Sequence, residues 1–447
     1  MFKDFICGMQ RSTLPNEWTT FDYYARRIQI ISANHSDLYY QLLQARPQVI
    51  PFPALRTLAL GYPRTILIRC TTPLFPTSLR SLQLDCRKAS LLWTGAENII
   101  EAAHQVPMLI TLGICGVVTP TTLLSVMQFR HLRALHLHHM DIEGSSFDTS
   151  VLRDFIQVIS EMTALVEVSV PANGLNEDAI PPCRGFAHLE DLFLVADPIL
   201  VMKFADIITS QKVHTIRFAG GPIRIPLDTF TEWRNCFDKL VKLFGLSLRS
   251  IHLIENIVDD GLGMMGLLQP LLTLHHLEHI TMLCSSTVSV TSANIHDIAS
   301  AWPALRSYRL GGRVQETVHD TENTEDPFQS LVHFSRLCPY LDDLTLRING
   351  GNPPQSFKEL YSTHGLVKLR LDFPDNNDPI GVARFIDQLF PAVRDVLVTG
   401  NIDDDDYDEQ GWQNLSRVIR IFQAVRDQGR REGWRRALAT QGFGSLH

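Results

Sequence analysis

The chain has 447 residues, of which 45% are hydrophobic and 20% are charged. A single globular core stops growing at roughly 250–300 residues, so the chain must form several domains or one core extended along an axis. This composition excludes a globally disordered protein. The formal net charge of −8 argues against a protein that grips nucleic acid over its whole surface, because that role needs a basic field.

The cysteines and the first residues indicate a compartment. The closest two of the eight cysteines, Cys70 and Cys86, are sixteen residues apart, so no Cys-x-x-Cys pair exists for zinc or redox chemistry. Scattered cysteines in a long chain are typical of buried thiols in a reducing environment. There is no signal-peptide pattern, and no stretch approaches the ~18 apolar residues of a membrane span. We therefore expect a soluble protein of the cytoplasm or nucleus.

Residues 1–48 are predicted to form a helical cap or linker. The apolar residues that recur at steps of three and four, and so predict one amphipathic helix, are Trp18, Phe21, Tyr24, Ala25, Ile28 and Ile31. Ser36 is a candidate cap for a second helix, which carries Leu38, Leu42 and Leu43 and ends at Pro47. A stack of repeats needs its open end covered, and these helices would cover it.

From Phe52 onward, a Leu-x-x-Leu-x-Leu frame with apolar substitutions occurs thirteen times. Its first positions lie 23 to 36 residues apart, a range centred on the period of leucine-rich repeats. The framing triplets are Leu55/Leu58/Leu60, Leu79/Leu82/Leu84, Leu109/Leu112/Ile114, Leu132/Leu135/Leu137, Leu165/Val168/Val170, Leu189/Leu192/Leu194, Val213/Ile216/Phe218, Leu248/Ile251/Leu253, Leu277/Ile280/Met282, Leu305/Tyr308/Leu310, Leu341/Leu344/Leu346, Leu366/Leu369/Leu371 and Val393/Val396/Val398.

The frame predicts the fold. Its last two residues alternate with polar ones, as a short half-buried strand requires, and apolar residues at helical spacing lie between frames. Strands joined by such crossovers pair in parallel. Side chains eight residues after a frame start could form an asparagine ladder: Asn173, Asp197, Asn256, Asn349 and Asn401. We predict an α/β leucine-rich-repeat solenoid over residues 49–402, a horseshoe with parallel strands on its concave face, helices on its convex face and helical caps. The alternative is a large α/β protein that fits the template by chance.

Residues 403–447 are predicted to form an acidic loop and a basic helix. Residues 403–409 are nearly all acidic, which is typical of a solvated loop, and they lack the alternation and the glycine of a calcium loop. The helix that follows would cover the far end with Trp412, Leu415, Ile419 and Phe422. It continues into an arginine-rich tail, Arg426, Arg430, Arg431, Arg435 and Arg436.

The residues Cys-Pro-x-Leu-x-x-Leu-x-Leu at 338–346 resemble the leucine-rich repeats of F-box proteins, particularly the irregular ones of mushroom-forming fungi. Residues 21–28 are similar to the segment that joins the F-box to those repeats. Five repeats carry a proline two positions before the first frame residue: Pro53, Pro107, Pro303, Pro339 and Pro391. The resemblance implies substrate recognition for a ubiquitin ligase. It also implies an F-box ahead of residue 21, yet only residues 14–17 are similar to one, so adaptor binding would require an F-box upstream of Met1.

Two patterns could carry chemistry. Gly261, Gly263 and Gly266 match Gly-x-Gly-x-x-Gly, but a dinucleotide site needs these glycines directly after a strand, and residues 255–260 intervene. Two histidine clusters are interpreted as surface or interface residues, because a zinc site on one strand needs ligands from elsewhere: His136, His138 and His139, and His275, His276 and His279. Other catalytic motifs are missing from the sequence. We predict no enzyme, no cofactor and no metal.

The third, fifth and seventh frame positions are expected to line the hollow of the horseshoe, since neighbours in a strand alternate. Strands about 4.8 Å apart give this face a length on the order of 60 Å, which suits a protein ligand better than a small molecule. Arginines in its second half favour an acidic ligand. The predicted protein-binding residues are His136, Phe193, Arg217, His252, His279, Arg309, Arg347, Lys368 and Arg370.

The sequence therefore predicts a non-enzymatic protein-interaction module, the substrate-recognition part of an F-box-type ubiquitin ligase receptor. One alternative is a leucine-rich-repeat scaffold without a ubiquitin link. Another is a nucleotide-binding enzyme that would use residues 261–266. A third is nucleic-acid binding through the arginine-rich tail, which the net acidity disfavours.

Overall fold

The structure is a computed structural model, and it describes residues 15–32, 36–46, 49–61, 75–85, 95–116, 119–138, 149–172, 180–219, 230–255, 262–284, 290–312, 328–347, 363–372, 378–399 and 409–442. The chain forms two compact units, Met1–Gly221 and Pro222–His447. The division predicted at residues 48 and 402 stays a prediction.

The first unit is a parallel ladder of strands in chain order. Each of its strands pairs with the next along the chain. The strands are β1 (Ile30–Ile31), β2 (Thr57–Gly61), β3 (Ser81–Asp85), β4 (Thr111–Cys115), β5 (Ala134–His138), β6 (Glu167–Pro171), β7 (Asp191–Val195) and β8 (Thr215–Ala219). The described helices are α1 (Pro15–Ala25), α2 (Ser36–Ala45), α3 (Gly95–Ala103), α4 (Pro120–Val126), α5 (Thr149–Ser160) and α6 (Pro198–Ile207).

The second unit repeats this arrangement, again with each strand parallel to the next. Its strands are β9 (Ser250–Glu255), β10 (His279–Cys284), β11 (Ser307–Gly312), β12 (Asp343–Arg347), β13 (Lys368–Asp372) and β14 (Asp395–Thr399). Its described helices are α7 (Phe230–Phe244), α8 (Gly263–Leu268), α9 (Ser292–Ala301), α10 (Gln329–Leu337), α11 (Pro379–Leu389) and α12 (Glu409–Gly442), and a 3-10 turn covers Leu271–Thr273.

The thirteen frames are confirmed, since the last two residues of each triplet lie in a strand. Frame residues also align across the ladder, as Leu58 with Leu82 and Leu344 with Leu369. Among described side chains the frame is buried, except for Val396, which is half-buried in the last strand. The apolar frame thus forms the core of each unit, and the predicted α/β leucine-rich-repeat fold is confirmed.

One hydrogen-bond pattern fixes the register of each unit. The backbone carbonyl at the second frame position accepts two N–H groups from the next strand, as Arg56 does from Arg80 and Ser81 at 2.8 and 2.9 Å. The second unit repeats it, with the carbonyl of Arg306 accepting from Asp342 and Asp343 at 2.8 and 3.1 Å. A slip of one residue would expose the frame, so pattern and hydrogen bonds specify the same register.

The first helix is shorter than predicted, and the prediction that it reaches Ile31 is wrong. Helix α1 ends at Ala25, and Ile30 and Ile31 form β1, which pairs with Thr57 and Leu58. The strand forms because the carbonyl of Gln29 accepts the N–H groups of Arg56 and Thr57, which extends the ladder by one short strand. Tyr24, predicted to belong to the apolar face, is 52% exposed.

The remaining cap residues pack against the first repeat. Phe21 is buried and its ring lies 5.8 Å from that of Phe52, which is also 6.2 Å from Tyr39 of α2. Arg46 joins the two helices through Asp22, at 2.7 Å between Nη1 and Oδ1, and its guanidinium lies over the Trp18 ring. Residues 15–46 therefore cover the first end of the ladder.

Helix α12 covers the last strand of the second unit. Leu415 and Ile419 are buried, and Ser416 Oγ donates to the carbonyl of Val396 at 2.7 Å. Gln423 Nε2 donates to the carbonyl of Val393 at 2.7 Å, just before β14, the last of the described strands, and so satisfies an acceptor that a following strand would otherwise pair. The predicted cap is confirmed, and its docked part extends as far as Arg426.

The asparagine ladder stays a prediction. Asn173, Asn256, Asn349 and Asn401 lie outside the described residues. Asp197 has another role, since its carboxylate accepts the N–H of Leu200 at 2.7 Å and caps α6.

Candidate protein-binding face

We define the strand face as the side chains at the third, fifth and seventh frame positions. In β7 these are Asp191, Phe193 and Val195, which are half-exposed, while Leu192 and Leu194 between them are buried. The same alternation occurs in β2, β3 and β8. Because successive side chains of a strand point to opposite faces, the frame residues are buried and the residues between them can contact another molecule.

Three aromatic rings meet on the strand face of the first unit. His136 and His138 of β5 stack with 5.7 Å between centroids and 10° between planes. The ring of Phe193, from β7, lies 5.9 Å from that of His138. Two of the predicted binding residues, His136 and Phe193, therefore belong to one cluster, which we call the aromatic cluster: His136, His138 and Phe193.

The carboxylate of Glu167 connects the aromatic cluster to Arg217, another of the predicted binding residues. Glu167 lies 3.8 Å from His136 Nε2 through one oxygen and 3.8 Å from Arg217 through the other. Burial lowers the pKa of His136; the carboxylate of Glu167 opposes this, the Arg217 charge adds to it and Asp191 opposes it. The imidazole is accordingly neutral at pH 7, and it can accept as well as donate a hydrogen bond.

Proline explains a gap beside the cluster. The ladder between β5 and β6 stops at His136 and Ser169, because Pro171 has no N–H to donate to the preceding strand. The hydroxyl of Ser169 lies 3.4 Å from the carbonyl of Leu137 and 3.3 Å from His138 Nδ1. The hydroxyl of Ser169 thus partly replaces the N–H donor that Pro171 lacks, and its contact with Nδ1 orients the ring of His138.

On the second unit, Arg309 is engaged within the fold. Its guanidinium donates to Asp343 at 2.5 Å, across the β11–β12 pair, and Asp343 is only 13% exposed. Arg309 Nε and Asp343 Oδ1 have no hydrogen-bond partner among the described residues. Arg309 therefore belongs to a half-buried ion pair, and its contact with a ligand stays a prediction.

The other cations of this face lie beside acids. Lys368 is in register with Asp343 on one side and Asp395 on the other. The backbone of Arg347 is in register with Asp372, and its side chain lies outside the described residues. Arg370 is half-exposed in β13. The cations of this face are interleaved with carboxylates along the ladder, and the expected preference for an acidic ligand here stays a prediction.

The predicted histidines of the second unit lie apart from the aromatic cluster. His252 Nε2 lies 2.8 Å from Ser250 Oγ, and His279 is half-exposed in register with Ser250 and Ser307. His275 Nδ1 lies 3.0 Å from the carbonyl of Ala301. Across the part of the chain that the structure describes, no three potential ligands converge as a metal would need.

The glycine pattern opens a helix. Gly263 begins α8 with a φ of +69°, and the helix is only six residues long. Residues 256–261 separate it from β9 and lie outside the described residues. This agrees with the interpretation of a helix entry, because backbone N–H groups directly after a strand are what a pyrophosphate requires.

Sequence reasoning missed the second frame position. In the second unit it carries alternating charges that pair across strands, which we call the ion-pair row: Arg249, Glu278, Arg306 and Asp342. In the first unit it carries three exposed arginines, which we call the arginine row, namely Arg56, Arg80 and Arg133. The other residues at this position of the first unit are Ile110, Val166, Glu190 and His214. The signal was present, since the residue after each frame start could have been compared from repeat to repeat.

Comparisons with known proteins give matches among solved structures. No protein-family model matches the chain, and no curated protein matches it. Among solved structures it is similar to a leucine-rich-repeat protein of Leptospira interrogans, at 13% identity and a TM-score of 0.35, covering 80% of this chain and 77% of that one. It is also similar to a leucine-rich repeat-containing protein from Legionella pneumophila, at 14% identity and a TM-score of 0.32, covering 81% and 97%. At these scores the fold is assigned from the buried frame and the register.

None of the described helices combines the length and the apolar character that crossing a membrane requires.

Proposed function

We propose that the chain is a protein-interaction module that holds a partner protein on its strand face. The observation that carries the proposal is the separation of roles within each strand, since frame residues are buried and the residues between them stay open. An open sheet face of this kind offers contact area without an enclosed pocket, which suits a macromolecule better than a small ligand.

The aromatic cluster with Arg217 is the proposed centre of binding. Aromatic and arginine side chains dominate the energetics of protein interfaces, and Phe193 and Arg217 sit on neighbouring strands in register. Glu167 on β6 lies 3.8 Å from both Arg217 and His136, and these groups supply hydrogen-bond donors and acceptors beside Phe193. The proposed contacts of the second unit remain His252, His279, Arg309, Arg347, Lys368 and Arg370.

We further propose that the partner is a substrate of a ubiquitin ligase, in the cytoplasm or nucleus. The support is the resemblance of residues 338–346 and 21–28 to F-box proteins with leucine-rich repeats. Residues 21–28 fall at the end of α1 and just after it, where they join the cap to β1, as a segment leading into repeats should. A scaffold without a ubiquitin link is the alternative that the same face supports.

Proximity labelling in the source cells tests both the proposed protein-interaction role and the proposed link to a ubiquitin ligase. Phe193→Ala with Arg217→Ala should lose the labelled partner at least about fivefold, whereas Ile199→Ala, on an exposed position of α6, should keep it. Circular dichroism checks that all variants stay folded. An unchanged partner set in the double variant contradicts binding at this face. The scaffold is favoured if the partner is labelled but no ligase adaptor is labelled with it. In that case, overexpression of the protein should also leave the ubiquitination of the partner unchanged.

A further inference from the structure

The first repeats differ in charge from the rest of the chain. Residues 49–133 contain eight Lys and Arg against three Asp and Glu, a net charge of +5. The whole chain carries −8, and residues 1–48 carry +1 from five Lys and Arg against four Asp and Glu, so residues 134–447 carry −14. A basic region inside an acidic chain indicates a local electrostatic role rather than a general solubility effect.

The structure aligns part of this charge. Arg56, Arg80 and Arg133 occupy the second frame position before β2, β3 and β5, and all three are exposed. Backbone hydrogen bonds link their positions, from Arg80 N to the Arg56 carbonyl and from Arg133 N to the Ile110 carbonyl, at 2.8 and 2.7 Å. With strands about 4.8 Å apart, the arginine row extends over roughly 14 Å.

These charges are not neutralised by the described fold. None of the three arginines forms an ion pair with any described residue. Like charges on neighbouring strands destabilise a sheet by a few tenths of a kcal/mol or more. Arg56 and Arg80 carry this cost on neighbouring strands, while Ile110 separates Arg80 from Arg133, and an anionic partner bound across the row would remove the repulsion.

The adjoining strand face is small and nearly uncharged. Beside the row, the third positions of β2, β3 and β4 are Thr57, Ser81 and Thr111. The fifth positions are Ala59, Gln83 and Gly113, and the exposed Gln83 side chain packs over Gly113. A polypeptide backbone can therefore lie along Thr57, Ser81 and Thr111, with its side-chain carboxylates directed to the arginines.

A protein fits this surface better than a nucleic acid. Tight binding to nucleic acid takes on the order of 6–10 phosphate contacts, and the row offers three arginines. Single strands also need exposed aromatic rings for stacking, and the described face of β2, β3 and β4 carries none.

We propose that the arginine row and the small residues beside it bind an acidic, extended peptide segment of a partner protein. This proposal rests on the proposed function, because it assigns one class of segment to the same interacting chain. The acidic segment docks through carboxylates on Arg56, Arg80 and Arg133, and its backbone lies over Thr57, Ser81 and Thr111.

Fluorescence anisotropy with a fluorescein-labelled peptide of ten glutamates tests the proposal on the full chain. We expect binding that weakens with added salt, and no binding of a peptide of ten glutamines. Arg56→Glu with Arg80→Glu should reduce affinity roughly tenfold or more, because two attractive contacts become repulsive. The matched control is Arg394→Glu, which reverses an exposed arginine at the same frame position of β14 and should leave affinity unchanged.

Several results would overturn the proposal. Equal binding of the glutamine peptide, or equal loss in Arg394→Glu, means that no specific acidic site exists. Tighter binding of a dT ten-mer, lost in the same double variant, assigns the row to nucleic acid instead. If the double variant fails to fold by circular dichroism, Arg80→Gln with Arg133→Gln takes its place. The proximity-labelling test of Phe193 and Arg217 is a separate measurement. If only the acidic peptide fails to bind, that test can still support the proposed function.

Discussion

At the second frame position, the early repeats of the first unit carry Arg56, Arg80 and Arg133, whereas the second unit carries Arg249, Glu278, Arg306 and Asp342. The backbone is the same in both, since each carbonyl at this position accepts two N–H groups from the next strand. The side chains differ, because Arg306 lies 3.3 Å from Glu278 and 4.0 Å from Asp342, while the arginine row has no described acid beside it. One repeat position can thus serve either internal neutrality or an exposed charge.

The contrast extends beyond this row. In the second unit, Arg309 is held by Asp343, Arg426 by Asp387, and the ring of His364 by two backbone groups. In the first unit, His136, Phe193 and Arg217 stay on the open face. The two units differ in degree, since His136 and Arg217 of the first also lie 3.8 Å from the carboxylate of Glu167.

The largest expected effect is at the C-terminal cap. Arg426→Ala should lower the free energy of unfolding by about 2–3 kcal/mol, because Arg426 pairs with Asp387 at 2.7 Å and donates to the carbonyl of Pro391 at 3.0 Å. Burial raises the pKa of Asp387, and the Arg426 charge opposes this, so removing the arginine leaves a poorly solvated carboxylate. Urea unfolding measures the loss.

Arg430→Ala is the matched control, because Arg430 lies one turn further along α12 and is exposed. Its effect should stay within about 0.5 kcal/mol. Equal losses in the two variants would mean that the cap is not anchored at Arg426. The same anchor limits truncation: a deletion from residue 417 removes Ile419 and Arg426 with the tail, whereas a deletion from residue 428 tests nucleic-acid binding without removing the cap.

The next effect concerns acid. His364 is buried, its Nε2–H donates to the carbonyl of Cys338 at 2.8 Å, and its Nδ1 accepts the N–H of Leu366 at 3.1 Å. Burial lowers the pKa of this imidazole, opposed by the Cys338 hydrogen bond and the Asp342 charge. A proton on Nδ1 would face the Leu366 N–H, so the folded protein binds it less readily than the unfolded chain does.

The sign follows from that difference. The stability due to His364 is complete above the unfolded pKa of about 6.5 and is lost as the pH falls towards the lowered folded pKa. The slope in that window approaches about 1.4 kcal/mol per pH unit. Urea unfolding at pH 7.0 and 5.5 should show a smaller difference for His364→Gln than for the wild type. His136→Gln should flatten the curve less, since Glu167 can stabilise the His136 cation; the reverse order would contradict the comparison.

A third effect is expected at Arg309. Arg309→Ala should cost about 1–2 kcal/mol, because Asp343 is 13% exposed and loses its partner. The double variant Arg309→Ala with Asp343→Ala should cost less than the single one, since no carboxylate is then left unpaired. Thermal unfolding of both variants measures this, and an additive double variant would show that the pair is not coupled.

Features that depend on residues close together in the sequence could be predicted, and features that depend on residues far apart in the sequence could not. The frame is local, so Leu-x-x-Leu-x-Leu located every long strand and the buried core. Strand β1 escaped because Ile30 and Ile31 belong to no frame and form a strand only through Gln29 and the repeat that follows. The helix was extended through them because Ile28 and Ile31 happen to continue the three- and four-residue spacing.

Contacts between repeats were harder to foresee. Arg309 and Asp343 are 34 residues apart, at the fifth position of one frame and the third of the next, so position within one repeat did not reveal the pair. His364 precedes its frame by two residues, and only the fold brings it to the carbonyl of Cys338. His136, Phe193 and Arg217 were selected one by one, and the register is what joined them.

The smallest effect separates the two rows by its sign. Arg80→Glu should raise the free energy of unfolding by roughly 0.3–0.5 kcal/mol, because the new carboxylate stands beside Arg56 where two like charges stood before. Arg306→Glu should lower it by about 0.5–1 kcal/mol, because a third acid then lies between Glu278 and Asp342. Both shifts should shrink in 1 M NaCl, since these side chains are exposed to screening. Equal signs in low salt would mean that the two rows are electrostatically alike, and the arginine row would then hold no unused charge for a partner.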